Sequence, residues 1–356
     1  MAEALRRLDA AGGAGWADDR SPFPGLRPFD TGWHRVFFGR TEETKQLAEL
    51  LRSTASGTAL LVVGPSGCGK SSLVRAGLVP EMAEEPGWRS LAPILPGTEP
   101  VRALARELAV AARRIGLGWT LEEVCQRFTE SGLSGLVEEL LLADPDGPQR
   151  RLLVVVDQAE ELLTQSAPTE RERFAELVGP ALSAPVRLVG TLRPEFLDQL
   201  LSDPGLAALS TSMYPLRPLR REALRAVIEK PAQLAGIEVD EGLVEQLLEE
   251  TDSGEALPLL AFTLAQLAQG VTRGGRLSGE RYDQLGKVQG ALIRHAEAAL
   301  AKAVQVVGRS RQEVIAGLLR LVTVDEQGRP TRWRIPHQDL PNRRPPSWTC
   351  SSPSGC

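Results

Sequence analysis

A chain of 356 residues with 42 % apolar and 24 % charged side chains has the balance of an ordinary globular protein and room for two or three domains with their own cores. A formal net charge of −5 supplies no global basic field for nucleic acid or an anionic membrane, which leaves only local basic patches open. Cys68, Cys125, Cys350 and Cys356 are too scattered for a zinc cluster, and no apolar run approaches the ~20 residues of a membrane helix, so the chain reads as soluble and cytoplasmic.

Residues 1–21 are small, polar and glycine-rich, lack the apolar stretch of a secretory signal and read as a disordered leader. "SPFPGLRPFD" follows, extended and proline-punctuated, with two phenylalanines that need burial. "FFGRTEETKQLAELL" reads as a turn opening a helix. Thr41 is placed to cap it, Glu42 and Glu43 suit its positive end, and Leu47, Leu50 and Leu51 recur at helical spacing. "TALLVVG" (58–64) has the pattern of a short buried strand, followed by a glycine-rich turn and a helix from near Lys70. "LAPILPGTEP" reads as the second strand and "PVRALARELAVAARRIG" as a helix. Leu133, Leu136, Val137, Leu140 and Leu141 mark another helix face. "RLLVVV" is the third strand, "PVRLVGTLR" the fourth and "MYPLRPL" a short fifth. Strands alternating with helices imply a mostly parallel sheet covered on both faces, here spanning 22–216.

Beyond residue 217 the pattern is helical, with candidates at 221–234, 241–252 and 257–269. A polar, glycine-containing connection over 270–288 leads to helices at about 289–306 and 310–322 and then to "LVTVDEQGRPTRWRI", two strands around a turn. Helices followed by a hairpin suggest a winged helix. The expected organisation is a helical domain over 217–286, a winged-helix domain over 287–340 and, where Pro, Ser and Arg take over, a disordered tail over 341–356. No repeat marks a solenoid or propeller.

The chemistry concentrates in "GPSGCGKSS". Gly64, Pro65, Ser66, Gly67, Cys68, Gly69, Lys70 and Ser71 match G-x-x-x-x-G-K-[ST], with Ser72 next. Glycines let such a loop wrap until successive N–H groups face phosphates, and the following helix adds its positive end. Lys70 can reach the β- and γ-phosphates, and the Ser71 hydroxyl can ligate Mg²⁺. A chance glycine turn is the alternative, but strand before and helix after give the motif its required context. Cys68 inside the loop reads as a small filler in preference to a redox switch. Asp157 ends the third strand, where a carboxylate can hold Mg²⁺ through water or cap the next helix. Arg193 ends the fourth strand, placed to sense the γ-phosphate or stabilise transition-state charge; a salt-bridged loop arginine is the bland alternative.

Taken in order, "FPGLRPF", "VFFGRTEE", "GPSGCGKSSLVRAGLVP", "VVVDQAEELLT", "TLRPEF" and "LPLLAFTLAQL" resemble the bacterial STAND ATPases, most closely the novel STAND group often joined to WD repeats. The resemblance covers about residues 22–340. It implies an α/β fold: an AAA-like P-loop NTPase domain with a parallel sheet, then a helical domain and a winged helix. It also implies an ATP/ADP switch in which ADP holds a closed state and ATP drives opening and homo-oligomerisation, with a signalling partner it does not identify. By position, Phe38, Gly39 and Arg40 match the motif beside the adenine, and Pro258 the helical-domain proline near it; turn, core and first-turn proline are the plainer readings. Arg332 and Arg334 lie where a winged helix could approach nucleotide, though an exposed wing face suits them better. No effector domain or repeat sensor is recognisable, and "NRRPPSWTCSSPSGC" fits a stand-alone core, a truncated gene or a shifted reading frame.

Three functions compete: a slowly hydrolysing switch, a motor-like ATPase and a DNA-binding regulator acting through the winged helix. The residue after Asp157 bears on the choice. In many P-loop ATPases it is a second acid that handles water, and here it is Gln158. In the related NACHT pattern a small residue often follows the aspartate and the acid comes three places on, at Glu160. Glu160 and Glu161 differ by about 100° around a helix, so only one is expected to face the phosphates. Glu160 is preferred; Glu161, or neither, stays open.

Overall fold

The computed structural model describes residues 20–144, 151–183, 185–251, 257–320, 322–324 and 330–332. The leader up to residue 19, Arg334 and the tail over 341–356 lie outside these residues. Five strands, β1 (Thr58–Val63), β2 (Trp88–Ser90), β3 (Arg151–Val156), β4 (Val186–Leu192) and β5 (Ser210–Pro215), form one sheet in the order β2-β3-β4-β1-β5. Every pairing in it is parallel.

The strands are continuous apolar runs because both faces are covered. Side chains alternate between faces. Leu61, Leu152, Val154, Val156, Val186 and Leu188 pack into a core with helices Pro100–Arg114, Leu121–Glu130, Gly132–Leu142 and Pro168–Ala181. Leu60, Val62, Leu153, Val155 and Val189 pack into the opposite core, with helix Thr41–Ser53 and the segments Leu73–Leu78 and Val79–Ala83. Asp157 and Thr191 continue the odd-numbered side of β3 and β4, and so project towards the helix that follows the glycine loop.

Three local expectations are corrected. The second strand is Trp88–Ser90 and not "LAPILPGTEP". Of that stretch, Leu91 N–H donates to Leu153 O and Ile94 forms an isolated bridge with Val156. Pro93 and Pro96 have no N–H to continue a ladder. Thr41 is the first helical residue and not the cap, since Arg40 takes the N-cap position without a side-chain cap bond. The fifth strand starts earlier than "MYPLRPL", at Ser210.

Past β5, helices Arg221–Leu234, Glu241–Glu250 and Leu257–Leu267 follow. The polar connection after them contributes Arg276–Leu277, which pairs in parallel with Glu238–Val239. The chain then divides between Ser278 and Gly279 into two compact units. The second holds helices Gly279–Gln284, Lys287–Val307 and Arg311–Leu319, and an antiparallel pair, Val322–Val324 with Pro330–Arg332. Among the described residues no helix is long and apolar enough to cross a membrane.

Candidate functional site

The glycine loop joins β1 to the helix at Lys70. Gly67 (φ +78°) and Gly69 (φ +96°) take left-handed backbone, which costs an L-residue roughly 1–2 kcal/mol. A Cβ at Gly64 would sit 2.8 Å from Leu216 O. The motif's glycines are therefore required by geometry. Lys70 is buried, and its Nζ donates to Gly64 O at 2.5 Å and Pro65 O at 2.9 Å. Burial pushes its pKa down, with Cys68 and Glu160 opposing. Pro65 and Ser66 form the exposed tip, and Cys68 is buried.

Asp157 is fully buried at the end of β3. Its Oδ1 accepts from Ser71 Oγ at 2.8 Å and from Thr191 Oγ1 at 2.6 Å, and its Oδ2 pairs with Arg75 Nε at 2.8 Å. The Ser71–Asp157 contact joins the two halves of the site across 86 residues of chain. Arg75 belongs to the Leu73–Leu78 stretch, where the helix widens to π-type bonding, a local change frequent at functional sites. A hydroxyl and a carboxylate are hard oxygen donors, the set that suits Mg²⁺, so the residues present fit that ion.

Gln158 has φ +58°, left-handed backbone on a non-glycine residue. Its N–H donates to Thr191 Oγ1 at 2.8 Å, and the next N–H, of Ala159, to Thr191 O at 2.8 Å. This turn starts the short helix Glu160–Thr164. Glu160 and Glu161 are both buried but face different partners. Glu160 Oε1 lies 3.1 Å from Arg193 Nε, while its Oε2 is buried with no hydrogen-bond partner among the described residues. Burial raises the Glu160 pKa, against the lowering pull of Arg193 and Lys70. Glu161 Oε2 instead accepts the Gly97 N–H at 3.2 Å, a contact to the loop after Ile94.

The segment before the first long helix folds onto the same loop. Arg40, 3 % exposed, donates from Nη2 to Cys68 O at 2.9 Å and pairs through Nη1 with Glu43 at 2.6 Å. Gly39 has φ +84°, and a Cβ there would lie 2.8 Å from Val227 Cγ2 and 2.9 Å from Ala223 O. Phe38 sits under Lys230 Nζ, 5.8 Å from its ring centroid. Ser72 Oγ accepts the Phe29 N–H at 3.2 Å. A Cβ on Gly67 would lie 2.8 Å from Pro258 Cγ, so Pro258 lies directly against the glycine loop. Arg332 lies in the second unit.

Thr191 and Arg75 were not among the residues that sequence reasoning singled out. A threonine inside a strand reads as ordinary strand composition, and an arginine on a helix reads as a solvated face. For Thr191 a signal did exist: it stands two places before Arg193, and alternate residues of an extended chain share a side.

Several solved structures are similar to this chain. The ORC1 protein of Aeropyrum pernix, solved in complex with DNA, is 18 % identical, with 77 % of this chain and 69 % of that one covered and a TM-score of 0.46. Cdc6p of Pyrobaculum aerophilum is 18 % identical, with 70 % and 63 % covered and a TM-score of 0.45. A Walker-type ATPase of Pyrococcus abyssi is 18 % identical, with 83 % and 80 % covered and a TM-score of 0.46. No curated protein matches the chain. The family described as Novel STAND NTPase 1 matches residues 22–351, from the segment folded on the glycine loop to beyond the last described strand, and the chain belongs to that family of P-loop NTPases.

Proposed function

We propose that the protein binds ATP and ADP with Mg²⁺ and hydrolyses ATP slowly, as a conformational switch. The observation that carries this reading is the meeting of the Ser71 hydroxyl and the buried Asp157 carboxylate at 2.8 Å, beside Lys70. Lys70, the N–H groups of the glycine loop and the Ser71 helix end would hold the phosphates. Ser71 and Asp157 would hold Mg²⁺, which when bound neutralises charge on the phosphate oxygens. Glu160 is the residue we assign to the attacking water: its Oε2 is buried without a hydrogen-bond partner among the described residues. Arg193, paired with Glu160 at 3.1 Å, would trade that carboxylate for γ-phosphate charge. Glu161, turned to Gly97, is assigned a structural role.

The switch reading is supported by the contacts that converge on the loop from two directions. Arg40 binds the Cys68 carbonyl, Gly39 abuts Ala223 and Val227, and Pro258 abuts Gly67. A change in the loop's contents is therefore felt by helices Arg221–Leu234 and Leu257–Leu267, which we assign to a helical domain over 217–286. ADP-closed and ATP-open states and assembly in the ATP state are part of the same proposal. A winged helix over 287–340 is supported by two helices leading into an antiparallel strand pair.

Lys70→Ala is expected to weaken ATP and ADP binding by about ten- to a hundredfold, the worth of a charged hydrogen bond, measured by calorimetric titration. Turnover of the unaltered chain in the same preparation should lie below about 1 s⁻¹, the lower end of ordinary enzymes. Undiminished affinity in the variant would remove the nucleotide reading, and turnover well above that value would replace the switch with a motor.

A further inference from the structure

We propose that Thr191 is a positioning residue of the hydrolytic site, its one hydroxyl fixing both the Asp157 carboxylate and the backbone turn that delivers Glu160. The inference rests on the nucleotide reading above and adds a residue to it. Thr191 is 1 % exposed, in the middle of the sheet. Its hydroxyl has one proton, and that proton goes to Asp157 Oδ1 at 2.6 Å. The oxygen then accepts the Gln158 N–H at 2.8 Å. Any buried hydroxyl needs partners; those of Thr191 are the Asp157 carboxylate and the turn at Gln158.

Both contacts are made where the site most needs them. Asp157 Oδ1 also takes the Ser71 proton, so Thr191 sets the side chain that faces Ser71. Gln158 holds left-handed backbone at φ +58°, which a non-glycine residue keeps only when its surroundings impose it. The Thr191 hydroxyl and the Thr191 carbonyl hold the N–H groups of Gln158 and Ala159 in succession. The helix beginning at Glu160 starts from that anchor. Two residues on, just past the end of β4 where the backbone is still extended, Arg193 pairs with Glu160. The end of β4 and the residue just beyond it thus address the metal carboxylate and the hydrolytic carboxylate in turn.

Partners of ligating carboxylates typically change metal affinity by about 10–100-fold when removed. The test follows a fluorescent ADP analogue bound to the full chain, titrated with MgCl₂ and, separately, in EDTA. In Thr191→Val, which keeps shape and loses the hydroxyl, the Mg²⁺ concentration for half-maximal binding should rise about tenfold or more. Binding in EDTA should stay within about twofold of the unaltered chain, because the phosphate loop is untouched. Thr191→Ser should restore the Mg²⁺ dependence. Should the valine variant fail to fold by circular dichroism, Thr191→Ala loses the same hydroxyl without the added methyl and is read in the same way. An unchanged Mg²⁺ dependence, or equal losses with and without Mg²⁺, overturns the positioning role while leaving the nucleotide reading intact. Failure of the unaltered chain to bind the analogue overturns both.

Discussion

Glu160 is a buried carboxylate whose burial outweighs the pull of two cations and raises its pKa. In the role proposed above Glu160 must be ionised, so the acid limb of the rate profile should lie above the usual glutamate range. Glu160→Gln should cut turnover by about 10²–10⁴-fold while nucleotide affinity persists. Glu161→Gln, at a side chain bonded to the Gly97 N–H, should leave chemistry nearly intact. Stability supplies a second reading with a definite sign. A folded-state pKa raised above the unfolded value gives stability that is full at low pH and lost as pH rises through the folded value. The glutamine variant escapes that loss, so it should melt higher than the unaltered chain at neutral pH, with the gap closing as pH falls towards the unfolded glutamate value. Equal melting at neutral pH would show that the Arg193 pair already offsets the burial. Lys70, Ser71 and Asp157 were legible in the sequence because loop spacing and strand ends fix their geometry. The preference for Glu160 over Glu161 came from the resemblance alone; the turn at Gln158 that aims the helix was not legible, because a left-handed glutamine leaves no mark in composition.

At the scale of elements, the alternation of apolar strands with helices gave the parallel sheet directly, and "RLLVVV" coincides with β3. The second strand escaped because "LAPIL" has strand composition, while its prolines forbid the ladder. The helix Leu121–Glu130 also escaped, although Thr120 and Glu123 form a full capping box and Leu121, Val124, Cys125 and Phe128 recur at helical spacing on one core. The π-type stretch Leu73–Leu78 could not be read from sequence at all, since widening of the helix is imposed by what the helix packs against. The turn at Gly39 is the sharpest link between elements. Alanine there would meet the backbone of Ala223 and carry left-handed strain. Gly39→Ala should lose about 1–2 kcal/mol from the backbone alone, more with the overlap, measured by denaturant unfolding. Nucleotide affinity should fall as well, because the adjacent Arg40 holds the Cys68 carbonyl. A variant as stable as the unaltered chain would mean that helix Arg221–Leu234 can move away freely.

At the scale of the molecule, the residues of the candidate site all fall on one side of the division at Ser278. Arg40 and Lys70, Asp157 and Thr191, Glu160 and Arg193, and Pro258 against the glycine loop belong to the first compact unit. Both cores that cover the sheet also lie there. The second unit, from Gly279, carries its own helices and strand pair. A switch that acts by biasing a conformation makes binding and response separable. A chain ending at Ser278 should therefore fold, and should bind ADP within about threefold of the full chain, a difference near 0.6 kcal/mol. Any nucleotide-dependent change in hydrodynamic radius or oligomeric state, measured by light scattering with ADP and with a non-hydrolysable ATP analogue, should appear in the full chain alone. A much larger loss of ADP affinity on truncation would mean that the second unit reaches the nucleotide itself, and the ADP-closed state would then be held by a contact made directly to the ligand.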